Sequence, residues 1–272
     1  MSDGRAWPVP VACEFDGPQD APVLVLGSSL GTSMAMWDRQ AAELRDTFRL
    51  LRFELPGHGG AAAWPGPYTI GELGAGVLAL LDAHGVGRAG YAGVSLGGMI
   101  GMWLAAHAPD RIAALGLVCT SACLPPAQGW RDRASVVRGA GMGAVAALVI
   151  ARWFTHDYIE REPAVVASVR EMLEGADPEG YAGCCEAIAS MDLRADLAGV
   201  TTPTLVIAGD ADPATPPEHG REITARIRFA RLRVLPGASH LAVISSAPQV
   251  TAALHEHFRQ AAAADQSWRA ER

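Results

Sequence analysis

The hexapeptide Gly93-Val94-Ser95-Leu96-Gly97-Gly98 decides the fold that this sequence predicts. It follows an apolar run, residues 90–94, which is typical of a buried strand, and it precedes residues 96–107, whose spacing predicts a helix. This order of strand, Gly-x-Ser-x-Gly turn and helix places the serine on a sharp, strained turn. The turn lifts the serine hydroxyl above the sheet. Gly93 and Gly97, two positions either side of Ser95, are glycine because larger side chains there would collide with neighbouring backbone.

Short apolar runs alternate with helical patterns on both sides of this turn. The predicted strands are residues 23–26, a run ending near Phe53, and residues 90–94, 113–118, 204–208 and 232–235. The predicted helices are residues 36–44, 70–84, 96–107, 217–227 and 248–261. Continuous apolar strands that alternate with helices indicate a mostly parallel central sheet with helices on both faces.

The alternation stops between Leu124 and about Leu197, where the sequence is rich in Ala and Arg and has helical spacing only. This stretch predicts a helical cap inserted into the sheet domain. The fold class is therefore predicted to be α/β, an α/β-hydrolase fold with a core of residues 1–123 and 197–272 and a substrate-selecting cap of residues 124–196. The polar tail from Ala261 is expected to fray.

A serine nucleophile requires a base and an acid that orients the base. In this fold they follow the serine in the order acid, then histidine, each after a strand. His240 follows the last predicted strand, which makes it the candidate base. Asp210 and Asp212 both follow residues 204–208, and Asp212 is favoured because Pro213 pushes it toward an extended or turn conformation.

The remaining histidines are given other roles. His58 lies in a Gly-rich turn and is predicted to be structural. The others are expected in surface helices or loops: His84, His107, His156, His219, His255 and His257.

Two backbone N–H groups are candidates for an oxyanion hole. Leu96 begins the helix after Ser95, and the helix dipole favours negative charge at that end. Leu30 lies in the Gly/Ser loop after the first long strand, where the second donor is expected. If that loop stood alone, a plain Gly/Ser turn would be the better explanation.

Composition excludes several other functions. The chain has 272 residues, of which half are hydrophobic, and a net charge of −7, which argues against a nucleic-acid partner. It contains no lysine, so Schiff-base and pyridoxal-phosphate chemistry are excluded. Five cysteines without a Cys-x-x-Cys pattern predict neither a disulfide framework nor a metal site. With no signal-peptide pattern and no apolar stretch long enough for a bilayer, we expect a cytoplasmic protein with no membrane partner.

Several segments together resemble the 3-oxoadipate enol-lactonases. The core segments are Ser29-Leu30-Gly31-Thr32 with Met36-Trp37-Asp38, residues 93–101 and residues 208–217. The cap segments are Trp130-x-x-Arg133, Gly141-Met142 and Asp177-Pro178-x-Gly180-Tyr181-Ala182-x-Cys184-Cys185. The resemblance extends from about residue 12 to 258, and its cap segments are more specific to the family than its core segments.

The resemblance implies a cofactor-free enzyme that opens a small anionic lactone, 3-oxoadipate enol-lactone, in aromatic degradation. Carried over by position, Ser95, Asp212 and His240 are the catalytic triad, and Leu30 and Leu96 form the oxyanion hole. Trp130 and Arg133 fall at the cap motif. Arginine suits a substrate carboxylate because its planar fork donates two parallel hydrogen bonds. Arg152, beside Trp153, is the second candidate for this contact.

The sequence departs from the family at positions outside the triad. Ser28 stands where Asn is frequent, residues 54–59 read Glu-Leu-Pro-Gly-His-Gly in place of Asp-x-Arg-Gly-His-Gly, and Leu241-Ala242-Val243 replaces Leu-Ser-Asn. A general carboxylesterase or a cofactor-free perhydrolase on the same core is the alternative enzyme. A non-catalytic ligand receptor would be free to lose a triad residue, and none is lost.

Overall fold

The computed structural model describes residues 12–268, and its strands form a single seven-stranded sheet. The strands are β1 (Cys13–Asp16), β2 (Val23–Gly27), β3 (Arg49–Phe53), β4 (Ala89–Val94), β5 (Ile112–Val118), β6 (Thr204–Gly209) and β7 (Ala230–Leu235). Their spatial order is β1-β3-β2-β4-β5-β6-β7. Only β1 runs antiparallel to its neighbour, β3, and the other pairs in the described residues are parallel.

The sheet is covered on both of its faces. Every residue of β2, β4, β5 and β6 is buried, although successive side chains of a strand point to opposite faces. This explains why the strands read as continuous apolar runs and not as alternating ones. Strand β7 lies at the edge of the sheet and is partly exposed. The α/β-hydrolase fold predicted from the sequence is therefore confirmed.

The helices of the described residues fall into two groups. Those of the core are α1 (Asp38–Leu44), α2 (Ile70–Ala83), α3 (Leu96–His107), α9 (Pro217–Arg226), α10 (Ala242–Ser245) and α11 (Ala247–Ala264). Those between β5 and β6 are α4 (Ala127–Ala140), α5 (Gly143–Trp153), α6 (His156–Arg161), α7 (Pro163–Glu174) and α8 (Pro178–Ser190). None of the helices within residues 12–268 is long and apolar enough to cross a membrane.

The two connections between the sheet and the inserted helices are paired with each other. Cys123 and Asp192 form an isolated antiparallel bridge, and the N–H of Leu193 donates to the carbonyl of Ala122 over 2.9 Å. The insertion is also attached at α5, because the N–H of Leu241 donates to the carbonyl of Trp153 over 3.1 Å. These contacts hold the cap helices over the carboxyl ends of the parallel strands.

The structure corrects three sequence-based expectations. The tail does not fray at Ala261: α11 continues to Ala264, and the indole of Trp268 is buried and donates to the carbonyl of Val23 over 2.8 Å. His257 is buried and lies 3.0 Å from the carbonyl of Leu115, where a surface position was expected. Strand β1 was not predicted, because its four residues carry too short a pattern.

Candidate active site

Ser95 sits at the turn between β4 and α3 in a strained backbone conformation. Its φ is 53° and its ψ is −114°, a region that residues other than glycine rarely adopt. Its own N–H donates to the carbonyl of Val118, and its carbonyl accepts the hydroxyl of Thr120 over 2.7 Å. Strand β5 therefore holds the turn from the side, and the strain is maintained by its surroundings.

The two glycines of the turn are required by close backbone approach. A Cβ at Gly93 would lie 2.3 Å from the carbonyl of Gly97, and a Cβ at Gly97 would lie 2.3 Å from the carbonyl oxygen of Gly27. Both distances are well inside van der Waals contact with backbone that cannot move aside. The Gly-x-Ser-x-Gly pattern is thus a packing requirement of the turn that places Ser95 at the cavity.

His240 and Asp212 lie on neighbouring loops and contact each other. Asp212 follows β6, His240 follows β7, and the Nδ1 atom of His240 is 2.9 Å from Oδ2 of Asp212. The loops are joined because the N–H of Ala211 donates to the carbonyl of Ala238. With Nδ1 turned to the carboxylate, Nε2 of His240 is left for a proton from Ser95.

The Asp212 carboxylate is held in its ionised form. It is buried, and Oδ1 accepts the backbone N–H groups of Ala214 and Thr215 while Oδ2 accepts the Thr215 hydroxyl over 2.7 Å. Burial alone would raise the pKa of Asp212. The charge of His240 and the hydrogen bonds from His240 and Thr215 outweigh burial and lower this pKa to about 2. The carboxylate therefore stays negative at any pH at which a histidine base can work.

Asp210, the alternative acid, lies elsewhere. It is exposed, and its Oδ1 accepts the backbone N–H of Gly237 over 2.6 Å, which ties the β6 loop to the β7 loop. The structure therefore brings Asp212, and not Asp210, to His240.

The two predicted oxyanion donors lie on neighbouring segments, and the N–H groups of the residues that follow them are occupied. The N–H of Gly97 donates to the carbonyl of Ser28, and the N–H of Gly31 donates to Nε2 of His58 over 2.9 Å. Among residues 12–268, no loop hydrogen bond uses the N–H of Leu30 or of Leu96. Leu96 is the first residue of α3, so its N–H has no acceptor within the helix.

Two buried side chains support the loop that carries Leu30. His58 accepts from Gly31 and lies 2.8 Å from the carbonyl of Pro56 through Nδ1, which is the structural role predicted for it. Burial lowers the pKa of His58 to about 4, so the ring stays neutral and can accept. Glu54 accepts the N–H of Met34, and burial raises the pKa of Glu54 to about 7.

One cavity contains Ser95, His240 and the three predicted substrate-binding residues. Trp130 and Arg133 lie on α4 and are half-buried, whereas Arg152 lies near the end of α5 and is exposed. The guanidinium carbon of Arg133 is 4.7 Å from the centre of the Trp130 ring. The Trp130 indole is fixed by its own hydrogen bond to the carbonyl of Leu124. The helices between β5 and β6 therefore present two arginines to the cavity that Ser95 lines.

Sequence reasoning missed several residues of this cavity. Thr215 binds Asp212 and lines the cavity, and its position three residues after the aspartate was a usable signal for such a turn contact. Tyr181 of α8 also lines the cavity, and it was seen only as part of a resemblance. The apolar lining residues were not singled out either: Leu124, Val149, Trp153 and Ile188.

Two family models match the chain. The model described as alpha/beta hydrolase fold matches residues 22–140, and the model described as TAP-like protein matches residues 179–267. The first match includes Ser95, and the second includes Asp212 and His240.

Individual relatives cover nearly the whole chain. 3-Oxoadipate enol-lactonase 2 of Acinetobacter baylyi is 39% identical over 83% of this chain and 84% of its own length. The crystal structure of the enol-lactonase from Burkholderia xenovorans is 42% identical, with a TM-score of 0.90 over 92% of this chain and 96% of that one. A malate-bound thermophilic esterase from Thermogutta terrifontis is 29% identical, with a TM-score of 0.88 over 94% and 97% of the two chains.

Proposed function

This chain belongs to the 3-oxoadipate enol-lactonase family of α/β-hydrolases, and on that premise we propose that it hydrolyses 3-oxoadipate enol-lactone to 3-oxoadipate in aromatic degradation. As a member of this family it is a serine hydrolase that acts on carboxylic esters. We assign the triad to Ser95, Asp212 and His240 and the oxyanion hole to Leu30 and Leu96.

The charge of the cavity is the observation that supports this substrate best. The side chains that line it in the described residues include Arg133 and Arg152 and no aspartate or glutamate. Neither arginine forms an ion pair with a carboxylate within residues 12–268. Such a site favours an ester that carries a negative charge away from its reacting carbonyl, as the enol-lactone does.

The proposed reaction has two steps. In the first, Ser95 Oγ attacks the lactone carbonyl while His240 Nε2 takes the hydroxyl proton, and the N–H groups of Leu30 and Leu96 stabilise the oxyanion. The ring C–O bond then breaks, and the leaving enol oxygen takes the proton from His240. The enol formed in this way tautomerises to the ketone. In the second step, His240 removes a proton from water, and the resulting hydroxide attacks the acyl carbonyl. The bond to Ser95 Oγ then breaks, Oγ takes the proton back from His240, and 3-oxoadipate leaves.

Within residues 12–268, no hydrogen bond joins the Ser95 hydroxyl to His240, although both line the cavity. Contacts of this kind commonly tighten only when substrate is bound. The Asp212–His240 contact is already formed, so the base is oriented before the substrate enters.

The substrate is tested by comparing specificity constants for the enol-lactone and for a panel of neutral esters. We expect the lactone to exceed 4-nitrophenyl acetate because the arginines add binding energy only for the anion. A preference for neutral esters would contradict the proposal and make the protein a general carboxylesterase. If hydrogen peroxide does not compete with water for the acyl-enzyme, the protein is a hydrolase and not a perhydrolase.

Arg133→Ala is expected to impair the anionic lactone selectively. The loss of a charge-assisted hydrogen bond costs about 1.5–3 kcal/mol, which lowers kcat/KM for the lactone about ten- to hundredfold. A neutral ester makes no such contact, so its kcat/KM should change far less. Steady-state kinetics on both substrates measure the difference.

Arg131→Ala is the matched control for this change. Arg131 lies two residues earlier on α4, is exposed and is not among the cavity residues. Its removal takes away the same charge from the cap, so it corrects for long-range electrostatics. Equal lactone losses in the two variants would assign the Arg133 effect to net charge alone, and a larger loss in Arg152→Ala would move the carboxylate contact to Arg152.

A further inference from the structure

The cavity contains a tyrosine that the triad, the oxyanion hole and the predicted arginines leave without a role. We infer that Tyr181 is a specificity-determining residue, whose hydroxyl binds the substrate carboxylate together with Arg133. This inference rests on the proposed function, since it assigns a second donor to the carboxylate of that substrate.

The ring of Tyr181 is fixed against the loop that carries the oxyanion donor. It lies on the buried side of α8 and stacks on His58, with ring centres 6.4 Å apart and an interplanar angle of 27°. A Cβ at Gly31 would lie 3.1 Å from Cε2 of Tyr181, so the ring touches the backbone next to Leu30. His58 binds the N–H of the same Gly31. The position of Tyr181 is therefore set relative to the reacting carbonyl.

Helix α8 also comes close to the loop after β3, which carries His58, because Gly180 and Gly57 at this contact both lack side chains. A Cβ at Gly180 would lie 2.5 Å from the carbonyl oxygen of Pro56 and 2.6 Å from the Cα of Gly57. The N–H of Asp177 also donates to the carbonyl of Gly57 over 2.7 Å. Tyr181 thus follows directly after a close backbone contact between α8 and the core, which leaves its ring little freedom to move.

The other end of Tyr181 lies near Arg133. The guanidinium rests on the face of Trp130, so its N–H groups point outward along its plane. Burial raises the pKa of Tyr181, and the nearby charge and hydrogen bonding of Arg133 offset only part of that increase. The phenol therefore keeps its proton at neutral pH, and it stands beside the arginine as a neutral hydrogen-bond donor.

Two donors of this kind define a carboxylate subsite at a fixed distance from the oxyanion hole. The arginine supplies charge, and the phenol supplies a directed O–H bond from a rigid element. A substrate fits when its carboxylate and its ester carbonyl are separated by the span between Tyr181 and Leu30. Arg152 is exposed, and within residues 12–268 its side chain makes no ion pair or ring contact comparable to that of Arg133, so it is the less suited of the two to set this span.

The test is Tyr181→Phe, which keeps the ring and removes only the hydroxyl. We expect KM for the enol-lactone to rise about tenfold with kcat changed less than about threefold, as for one lost hydrogen bond to a charged group. The ratio of specificity constants, lactone over 4-nitrophenyl acetate, should fall by a similar factor. In an Arg133→Ala background the same change should add little, because the two groups bind one carboxylate.

Tyr158→Phe is the matched control. Tyr158 is a buried cap tyrosine on α6 that stacks on Phe154, lies near Arg39 and is absent from the cavity lining. Its substitution should leave both specificity constants unchanged. Two outcomes would overturn the inference and make Tyr181 a packing residue. In the first, Tyr181→Phe lowers kcat/KM equally for the lactone and the neutral ester. In the second, Tyr181→Phe lowers kcat/KM for the lactone as much in the Arg133→Ala background as in the wild-type protein.

A second readout separates this inference from the proposed function. Adipate, a six-carbon dicarboxylate, should inhibit hydrolysis of 4-nitrophenyl acetate competitively, and Tyr181→Phe should raise its inhibition constant about tenfold. If the wild-type protein fails to open the lactone, the proposed function fails, and the adipate measurement alone decides the role of Tyr181. An inhibition constant that Tyr181→Phe does not change would overturn that role.

Discussion

Ser95→Ala is expected to fold like the wild-type protein and to lose about six orders of magnitude in turnover of any ester. Without Oγ no acyl-enzyme can form, and the rate that remains comes from the oxyanion hole and from binding alone. Folding should be preserved because alanine keeps the Cβ, and the backbone contacts of the turn to Val118 and Thr120 do not involve the hydroxyl.

The measurement combines steady-state kinetics with labelling by a fluorophosphonate, which reacts only with an activated serine. Wild-type protein should be labelled once, at Ser95, and the variant should remain unlabelled. The melting temperature of the variant checks that the fold is intact. Turnover near the wild-type rate in a cleanly purified Ser95→Ala protein would exclude Ser95 as the nucleophile.

Ser121→Ala is a demanding control, because Ser121 also has a histidine neighbour. Its Oγ lies 2.7 Å from Nδ1 of His219, whereas no such hydrogen bond joins Ser95 to His240 within residues 12–268. Ser121, however, lies outside the cavity, and its hydroxyl also donates to the carbonyl of Cys123. We expect its removal to change turnover by less than about threefold, because neither Ser121 nor His219 lines the cavity in which the ester would react. The comparison tests whether the strained turn, and not a serine–histidine contact, makes a nucleophile.

The positions of Ser95, Asp212 and His240 could be predicted because their signals are local. The glycines around Ser95 are dictated by backbone contacts within a few residues, and the chain order of Ser95, Asp212 and His240 follows the order of the strands. The choice between Asp210 and Asp212 also had a local basis in Pro213. Each of these signals lies within one strand and the loop that follows it.

The cap contacts could not be predicted in the same way, because they join segments far apart in the chain. Tyr181 meets His58 across more than a hundred residues, and nothing in the periodicity of α8 indicates which residue its buried side will touch. Likewise, sequence spacing treats Arg133 and Arg152 as equals. Their difference in burial is set by how α4 and α5 pack on the core.

Burial of polar or terminal groups was the other source of error. His257 and Trp268 follow polar or alanine-rich sequence that predicts a solvated surface. Each is buried because a distant carbonyl, that of Leu115 or of Val23, accepts its ring N–H. Such a hydrogen bond offsets the desolvation cost of burying a polar ring. The sequence does not show where the acceptor will lie in the fold.

Asp212→Asn is expected to lower kcat about four orders of magnitude while the fold is retained. An amide can still accept the N–H groups of Ala214 and Thr215, but its NH₂ can face Nδ1 of His240 where a carboxylate now accepts. That arrangement places the imidazole proton on Nε2, so the ring cannot take the proton of Ser95. It also removes the negative charge that stabilises the imidazolium formed in the reaction.

Asp210→Asn is the matched control, since it makes the same change two residues earlier on the same loop. Asp210 is exposed and accepts one backbone N–H, from Gly237, which an amide oxygen can accept equally well. Its kcat should therefore stay within about threefold of the wild-type value, as for most exposed substitutions. Measured kcat and KM for both variants on one activated ester decide the assignment. A severe loss in Asp210→Asn with a mild one in Asp212→Asn would require the β6 loop to rearrange in the working enzyme so that Asp210 orients His240.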